Sequence, residues 1–295
     1  MKNKHLLITE FMTTPWAIQR ERITAFAHVL AKWEENTNGA YEAKARTPNT
    51  VVQSGSIAVL PLYGSIFQRS NMMTDYCGGT STMQFSQMLS DAMNDPGVSQ
   101  ILIDIDSPGG SVYGVKELYD QISSAAQVKP IVAIANSLAA SAAYWLGCAA
   151  NEFYVTPGGE VGSIGVWQAH EDMSQALETE GVKITLISAG KYKTEGNPYG
   201  PLDEDSTDFL QSRVDDYYSM FVSAVAQGRS VPEDDVLNGM GQGRVLGATD
   251  ALAQKMVDGV ATFDEVISLM QSRMTKSAVK NSRAENERLR LSLLA

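Results

Sequence analysis

The chain has 295 residues, which is enough for one large domain or two small ones. Apolar residues make up 44% and charged residues 19%, a composition typical of a globular protein and not of a disordered one. The formal charge of -11 disfavours a nucleic-acid-binding body, because phosphate contacts need a basic face. Two cysteines, Cys77 and Cys148, are too few for a disulfide framework or a cysteine metal site, and the histidines are scattered. We therefore expect no metal and no cofactor.

One stretch is long and uncharged enough to suggest a membrane span. No charged residue occurs between Lys129 and Glu152, and a spanning helix needs about 20 apolar residues. The stretch changes from β-branched to alanine-rich halfway and contains polar residues, so we interpret it as a buried strand followed by a buried helix. The apolar run at the N-terminus is shorter than the roughly 7–15 residues of a secretory signal. The sequence therefore predicts a cytoplasmic protein without a membrane segment.

The chain divides into an arm, a core and a tail. Residues 1–50 form the arm, in which apolar residues near helical spacing predict one amphipathic helix: Ile18, Ile23, Phe26, Val29 and Leu30. Residues 51–272 form the core of the protein. Residues 273–295 form a basic tail with little to pack, which we interpret as a solvated segment or a helix that binds a partner.

Short apolar strands alternate with helices through the core. The predicted strands cover residues 56–66, 100–106, 130–135, 152–155, 163–167 and 183–188. Helices are predicted at 85–93, 112–122, 139–150, 173–177 and 210–225, and a last helix-to-strand unit covers 244–263. This alternation is typical of an α/β fold whose parallel sheet is covered on both faces. In such folds functional sites gather at the carboxyl ends of the strands.

The loop after residues 100–106 is rich in glycine. Its sequence is DSPGGS, and its glycines Gly109 and Gly110 permit backbone conformations closed to other residues. Adjacent free amides just before a helix bind negative charge, which favours an oxyanion hole. The alternative is a plain turn between a strand and a helix. A phosphate loop is excluded because the GKS/T signature is missing.

A serine lies in the first turn of the alanine-rich helix predicted at 139–150. The small side chains of Ala139, Ala140, Ala142 and Ala143 leave room for a peptide to approach the Ser141 hydroxyl. A helix N-terminus also favours an oxyanion nearby. The alternative is that Ser141 simply packs among alanines.

The loop after residues 183–188 carries two lysines, Lys191 and Lys193. A lysine that lies against a buried wall loses the stabilisation of its charge and can act as a base. Lys191 follows Gly190 at the end of the strand, where solvent is close, whereas Lys193 leads into an Asn-Pro-Tyr turn that can cover it. The alternative is that both lysines are solvated loop charges.

A serine nucleophile needs a proton acceptor, and the histidines offer little choice. His5 and His28 lie in the arm, and His170 is interpreted as a helix-start residue. A serine–lysine pair is the more economical arrangement, and it is a known variant of the catalytic triad.

Taken together, these motifs resemble a known enzyme family. SPGG, SLAASAAYW, GSIGV and a GKYK loop, in this order between residues 56 and 262, resemble the signal peptide peptidase A family of serine–lysine proteases. The KTEGNPYG stretch, the long helix after it and the arm before the core are similar to the head-maturation proteases of lambda-like phages and prophages. The resemblance implies the crotonase and caseinolytic-protease fold, in which βαβ units stack into a spiral.

The resemblance also implies roles for individual residues. Ser141 would be the nucleophile, and Lys193, the second lysine of GKYK, would be its general base. Gly109 and Ala142 would donate the amides that hold the oxyanion. Two supporting positions complete the set: Ser163, which orients the lysine, and Gly110.

The sequence departs from the family directly after the nucleophile. Ala142 and Ala143 stand where glycine is common, so the amides remain but a narrower specificity pocket is expected. The membrane anchor of the family is missing, which disfavours a signal-peptide substrate. We expect a homo-oligomeric endopeptidase whose substrates are scaffold and capsid proteins, including its own chain.

Three other functions are open at this point. The first is a cytosolic or membrane-recruited peptidase that degrades signal-peptide remnants. The second is a catalytically idle scaffold partner, against which the presence of both Ser141 and Lys193 argues. The third is an acyl-CoA hydratase of the same superfamily, which shares the oxyanion hole but needs no serine–lysine pair.

Overall fold

The computed structural model describes residues 14–19, 52–70 and 79–274. The strands within these ranges are β1 Trp16–Ile18, β2 Val52–Ser54, β3 Ile57–Tyr63, β4 Ser65–Phe67, β5 Gly79–Ser81, β6 Gln100–Ser107, β7 Gly109–Ser111, β8 Ile131–Ala140, β9 Glu152–Val155, β10 Glu160–Gly162, β11 Val245–Gly247 and β12 Gly259–Val260. The helices are α1 Thr82–Asn94, α2 Val115–Ala126, α3 Ala142–Gly147, α4 Ser174–Thr179, α5 Glu204–Arg229, α6 Glu233–Asn238, α7 Ala248–Ala253 and α8 at residues 263–274.

The larger of two sheets has a parallel centre. Its strand order is β11-β10-β8-β6-β3-β2, and β9 pairs with both β8 and β12. The central strands β3, β6 and β8 are parallel, while β2 and β11 are antiparallel to their neighbours. The smaller sheet has the order β1-β7-β4-β5. The predicted α/β fold with a parallel sheet is confirmed.

Helices cover both faces of the larger sheet. On β6, Ile101, Ile103 and Ile105 belong to the main hydrophobic core, whereas Leu102 points to the opposite face and packs in a second cluster with Val266 of α8. A strand buried on both faces has no polar side to expose, which explains the nearly continuous apolar run of β6.

Side-chain caps fix where two of the helices begin. The Ser81 hydroxyl accepts a hydrogen bond from the Gln84 amide at the start of α1, which then buries Phe85 against the core. The Asp203 carboxylate accepts one from the Ser206 amide at 2.8 Å and opens α5. Such caps satisfy amides that the helix leaves free. The structure thus confirms both of these predicted helices.

The strand predicted at 183–188 is wrong. Residues 182–188 have no regular secondary structure and are exposed, Ile187 to 96%. Apolar residues alternate there as in a strand, but a strand forms only where another strand pairs with it. Residues 163–167 also form no strand and contribute a single bridge, between Trp167 and Trp16.

The helix predicted at 139–150 is shorter than expected. β8 continues through Ala140, because its last three residues pair in parallel with β10. Helix α3 begins only at Ala142 and ends at Gly147. Ser141 is therefore the single residue between a strand and a helix, which sets its geometry.

Most of the arm and the tail lies outside the described residues. The helix predicted near residues 18–30 is wrong at Ile18, which belongs to β1 because its backbone pairs with β7. The rest of that helix, the linker after it and residues 275–295 fall outside the described ranges. Helix α8 runs through the predicted boundary between core and tail, and Arg273 donates hydrogen bonds to Glu152, one of them 3.1 Å long.

Candidate active site

Ser141 occupies a sharp and strained turn between β8 and α3. Its φ of 56° and ψ of -121° are rare for a residue with a side chain. The turn is held on both sides, because the Ser141 amide donates to the Gly162 carbonyl at 2.6 Å and its carbonyl accepts from the Trp145 amide at 2.9 Å. A strained strand-to-helix turn is how another class of serine enzymes presents its nucleophile.

The Ser141 hydroxyl is buried and unpaired. The residue is 1% exposed, and Oγ has no hydrogen-bond partner among the described residues. Buried hydroxyls nearly always have a partner, so an orphan of this kind needs an explanation. A serine that only packs among alanines would be expected to bond a nearby carbonyl. The orphan hydroxyl therefore favours a chemical role for Ser141.

The glycine loop packs directly against this turn. Ser107 Oγ donates to the Gly64 carbonyl at 2.6 Å and accepts from the Gly109 amide at 3.2 Å, which stiffens the loop. A Cβ on Gly109 would lie 2.9 Å from Ser141 Cβ, and a Cβ on Gly110 would lie 1.9 Å from the Ile66 carbonyl oxygen. Gly109 also has a φ of +93°, so both positions require glycine.

The ladder between β1 and β7 fixes where the Gly110 amide points. Two bonds frame this antiparallel ladder, from Gln19 N to the Pro108 carbonyl (2.9 Å) and from Val112 N to the Pro15 carbonyl (3.3 Å). Hydrogen-bonded pairs alternate along such a ladder, so the pair halfway between these bonds, Ala17 and Gly110, is also hydrogen-bonded. The Gly110 amide therefore faces β1, whereas the Gly109 amide points to its own loop.

A groove that sequence analysis missed lies beside the serine. We call the space between Gly109–Ser111 and Trp167 the β7 groove. Segment 16–19 of the arm fills it: β1 pairs with β7 on one side, and Trp16 exchanges two backbone hydrogen bonds with Trp167 on the other, 2.8 and 3.0 Å long. The local sequence gave one hint, since Pro15 precedes a short apolar run.

Ser163 lies one residue beyond Gly162, whose carbonyl accepts the hydrogen bond from the Ser141 amide. Its φ is 55°, and its amide donates to the Arg244 carbonyl at 2.8 Å. The side chain is half-buried. The structure thus brings five of the predicted positions together: Ser141, Ala142, Gly109, Gly110 and Ser163.

Lys193 is not part of this cluster in the single chain. It lies in an exposed turn, where its amide donates to the Gly190 carbonyl. Since Ser141 Oγ has no partner among the described residues, the ammonium group of Lys193 does not bond it. The Asn-Pro-Tyr turn was expected to cover Lys193, but no described residue does so and the side chain is exposed.

Lys191 has partners of its own. Its ammonium group donates to the Tyr192 hydroxyl at 2.7 Å and to the Asp205 carboxylate at 3.3 Å. The hydrogen bonds to Tyr192 and to Asp205 raise the pKa of Lys191. A lysine held in its charged form is a poor base.

The other candidate groups are placed elsewhere. His170 precedes α4 by several residues and does not begin it; its Nε2 is 3.0 Å from the Asn197 carbonyl oxygen. Burial raises the pKa of the Cys148 thiol to about 12, so it forms no thiolate near neutral pH. No group of three or more metal-ligating side chains converges within the described ranges. In the same ranges, every helix is too short or too polar to cross a membrane.

Part of the chain that contains Ser141 matches a known protein family. The sequence profile of peptidase family S49 matches residues 123–277. The chain belongs to peptidase family S49. The S49 match includes Ser141, Ser163 and Lys193 and begins after the glycine loop. The resemblance to signal peptide peptidase A proteases is thereby confirmed at the level of the family.

Several individual proteins are similar in sequence to most of this chain. Capsid assembly protease C of Escherichia phage lambda is 35% identical over 233 residues, which are 78% of this chain and 53% of that protein. Head-tail preconnector protein GP5 of Enterobacteria phage P21 is 32% identical over 80% of this chain and 47% of its own length. A putative signal peptide peptidase SppA of Enterococcus faecium is 24% identical over 66% of this chain and 57% of its own. The chain thus spans about half the length of the two phage relatives.

Proposed function

We propose that the protein is a serine endopeptidase that cuts scaffold and capsid proteins during phage head maturation. One observation carries the proposal: the Ser141 hydroxyl is buried without a partner among the described residues, on a strained turn against the glycine loop. A hydroxyl left free in this way is available to give its proton to a base. The similarity to a capsid assembly protease and to a head-tail preconnector protein supports the choice of substrates.

Lys193 acts as the general base in the proposed reaction. It takes the proton of Ser141 Oγ as that oxygen attacks the scissile carbonyl carbon. It then gives the proton to the leaving nitrogen as the carbon–nitrogen bond breaks. Lys193 next takes a proton from water as the water oxygen attacks the acyl carbon, and it returns this proton to Ser141 Oγ as the bond between that oxygen and the acyl carbon breaks. The reaction needs no metal and no cofactor.

The oxyanion is held by backbone amides of Ala142 and Gly110. The Gly109 amide, which the family resemblance favours, already donates to Ser107 Oγ, whereas the Gly110 amide faces the β7 groove. Gly109 keeps a different role, because its missing Cβ lets a peptide carbonyl come close to Ser141. Amides fixed in a stiff loop stabilise developing charge without reorganising first.

Lys193 has to be brought to Ser141, and we propose that an assembly of copies does this. Segment 182–187 exposes apolar side chains at alternate positions, among them Val182, Ile184 and Leu186, each more than 40% exposed. This is a strand pattern without a paired strand in the described part of the chain. Pairing of this segment with a second copy would cover it and order the lysine loop that follows.

Mixing two inactive variants tests this assembly. Ser141→Ala and Lys193→Ala proteins, each inactive alone, regain activity together if the pair forms between copies. A pair formed within one chain by loop closure would leave the mixture inactive and would overturn the assembly route. Sedimentation of the wild-type protein provides an independent measure of the number of copies.

The proposed place of action is the host cytoplasm, inside procapsids. An alternative function is the degradation of signal-peptide remnants, which the similarity to a putative signal peptide peptidase favours. Co-expression with scaffold and capsid proteins, followed by mass spectrometry of the products, separates the two. Defined scaffold or capsid fragments that disappear with Ser141→Ala are expected. Intact scaffold and capsid proteins beside cleaved signal-peptide remnants would reject the head-maturation role.

A further inference from the structure

An extended segment of the chain itself occupies the β7 groove. Main-chain hydrogen bonds hold segment 16–19 on both edges, to β7 and to Trp167. This is the geometry in which a peptide binds by adding a strand to an exposed sheet edge. Such binding depends on the main chain of the bound peptide, so a peptide of another sequence can bind in the same place.

The Ala17 carbonyl lies beside the nucleophile. A Cβ on Gly109 would meet the Ala17 carbonyl oxygen at 2.2 Å and Ser141 Cβ at 2.9 Å, so the two atoms border the same small space. The same carbonyl faces the Gly110 amide, since Ala17 and Gly110 form a hydrogen-bonded pair. A scissile carbonyl has to lie between the nucleophile and the oxyanion donor. The Ala17 carbonyl faces the Gly110 amide and borders the space next to Ser141, as such a carbonyl would.

Side chains of the segment fill the space around the groove. Trp16, Ala17 and Ile18 are all buried. The Trp16 ring packs edge-to-face on Phe67, with centroids 6.0 Å apart, and the Trp167 indole donates to the Ile18 carbonyl at 3.3 Å. The residue nearest Ser141 is thus small and is flanked by two large apolar side chains.

We propose that segment 16–19 is an intramolecular occupant of the substrate site. Substrates then bind the β7 groove as an extended strand, with a small residue at the position of Ala17, and they have to displace the segment first. This inference rests on the proposed function, because it takes Ser141 as the reacting residue. An occupant carried by the same chain binds intramolecularly, and effective concentrations for such binding reach about 1 mM. An outside peptide competes poorly until the segment leaves.

A disulfide lock and a release variant test the proposal without catalysis. All proteins carry Ser141→Ala, so no peptide is cut, and Cys77→Ser, so that Cys148, which is buried, is the only native thiol left. Trp16→Cys with Ser111→Cys forms the lock, because these residues stand opposite each other at a non-hydrogen-bonded position, where Cα atoms are about 4.5 Å apart. Ala17→Pro forms the release variant, because it removes the amide hydrogen that faces Gly110. The probe is a fluorescein-labelled peptide TTPWAIQR.

The expected result is an ordered series of affinities. The release variant binds the peptide about tenfold more tightly than the Ser141→Ala parent, and the oxidised lock binds it about tenfold more weakly than the same protein after reduction. Ser111→Cys alone is the matched control, in which the oxidised and the reduced forms of this one variant are expected to bind the peptide equally. Equal affinities in all forms, or no binding to any of them, would overturn the proposal.

This outcome is separate from that of the proposed function. If the wild type cuts protein substrates, Ser141→Ala does not, and all forms bind the peptide equally, the peptidase function stands and segment 16–19 is not an occupant of the substrate site. If the affinities follow the expected order but the wild type cuts no protein, segment 16–19 does occupy the β7 groove and the peptidase function is wrong.

Discussion

The backbone amide of Ser141 donates a 2.6 Å hydrogen bond to the carbonyl of Gly162. The bond ties the turn at Ser141 to the end of β10, where the chain bends at two successive positive φ values, 122° at Gly162 and 55° at Ser163. Two strained turns are thus locked to each other. Strain of this kind persists only where the surrounding structure imposes it.

Relief of the strain at Ser141 is measurable. Ser141→Gly and Ser141→Ala both remove the hydroxyl, but only glycine adopts a φ of 56° with a ψ of -121° at low cost. We expect the glycine variant to exceed the alanine variant in free energy of unfolding by about 1 kcal/mol. Urea unfolding of the two variants measures the difference. An alanine variant as stable as the glycine variant would show that the turn is not strained.

The two lysines of the loop are predicted to differ in function. Lys193→Arg is expected to abolish cleavage, because arginine stays charged at any workable pH and cannot act as a base. Lys191→Arg is expected to keep most activity, since Lys191 holds Asp205 and Tyr192 as a cation. Initial rates on a small peptide compare the two variants. The reverse pattern would assign the base to Lys191.

A partly buried ion pair joins the end of α5 to the residue before β12. Arg229, whose side chain is 6% exposed, donates to both oxygens of Asp258 at 2.8 and 2.9 Å. Asp258→Asn leaves the buried guanidinium without its counter-charge and is expected to cost on the order of 2 kcal/mol at pH 7. Asp120→Asn, in the exposed pair with Lys116, is the control and should cost less than about 1 kcal/mol. Equal losses in urea unfolding would contradict the role of burial.

The same ion pair sets a dependence of stability on pH. Partial burial is the largest single influence and raises the pKa of Asp258. The hydrogen bonds from Arg229 and from the Phe153 amide, together with the charge of Arg229, outweigh burial and hold the pKa below its ordinary value of 3.8. A carboxyl with a lowered pKa stabilises the fold above its unfolded value, and the contribution is lost as pH falls through the folded value. The wild type should therefore lose more stability than Asp258→Asn as pH falls below 3.8. Equal losses of unfolding free energy in the two proteins would show that Asp258 does not cause the pH dependence.

A truncation that tests the role of the basic tail has to end the chain at Thr275, because a shorter chain would also lose contacts of α8. Met274 Sδ accepts hydrogen bonds from the Ser56 and Ser99 hydroxyls at 3.1 Å, and Arg273 pairs with Glu152, so both residues tie the end of α8 to the core. A chain that ends at Gln271 is expected to melt at a lower temperature than one that ends at Thr275. The longer chain should cut a small peptide at the wild-type rate and scaffold protein more slowly, because the basic tail suits docking to protein substrates. Equal melting temperatures, or equal rates on scaffold protein, would each contradict one half of this prediction.

Local pattern in the sequence predicts the fold well, and pairing over long distances poorly. The strand β6 could be predicted because a continuous apolar run needs burial on both faces. The strand expected at 183–188 has the right alternation, but alternation does not show whether another strand pairs with it. Ile18 fits a helical spacing, yet the backbone of β7, far along the chain, pairs with it instead. The serine, the two glycines and Ser163 were identified from motifs, whereas their convergence around the β7 groove depends on contacts that spacing does not encode.

Covalent labelling measures whether the Ser141 hydroxyl is reactive. A fluorophosphonate probe reacts with a serine whose hydroxyl is activated by a base, and peptide mass spectrometry locates the adduct. If Ser141 is the nucleophile and Lys193 is its base, one adduct forms, on Ser141, in the wild-type protein and none forms in Ser141→Ala or Lys193→Ala. An adduct on Ser137 or Ser163, or an active wild-type protein that takes up no probe, would contradict it.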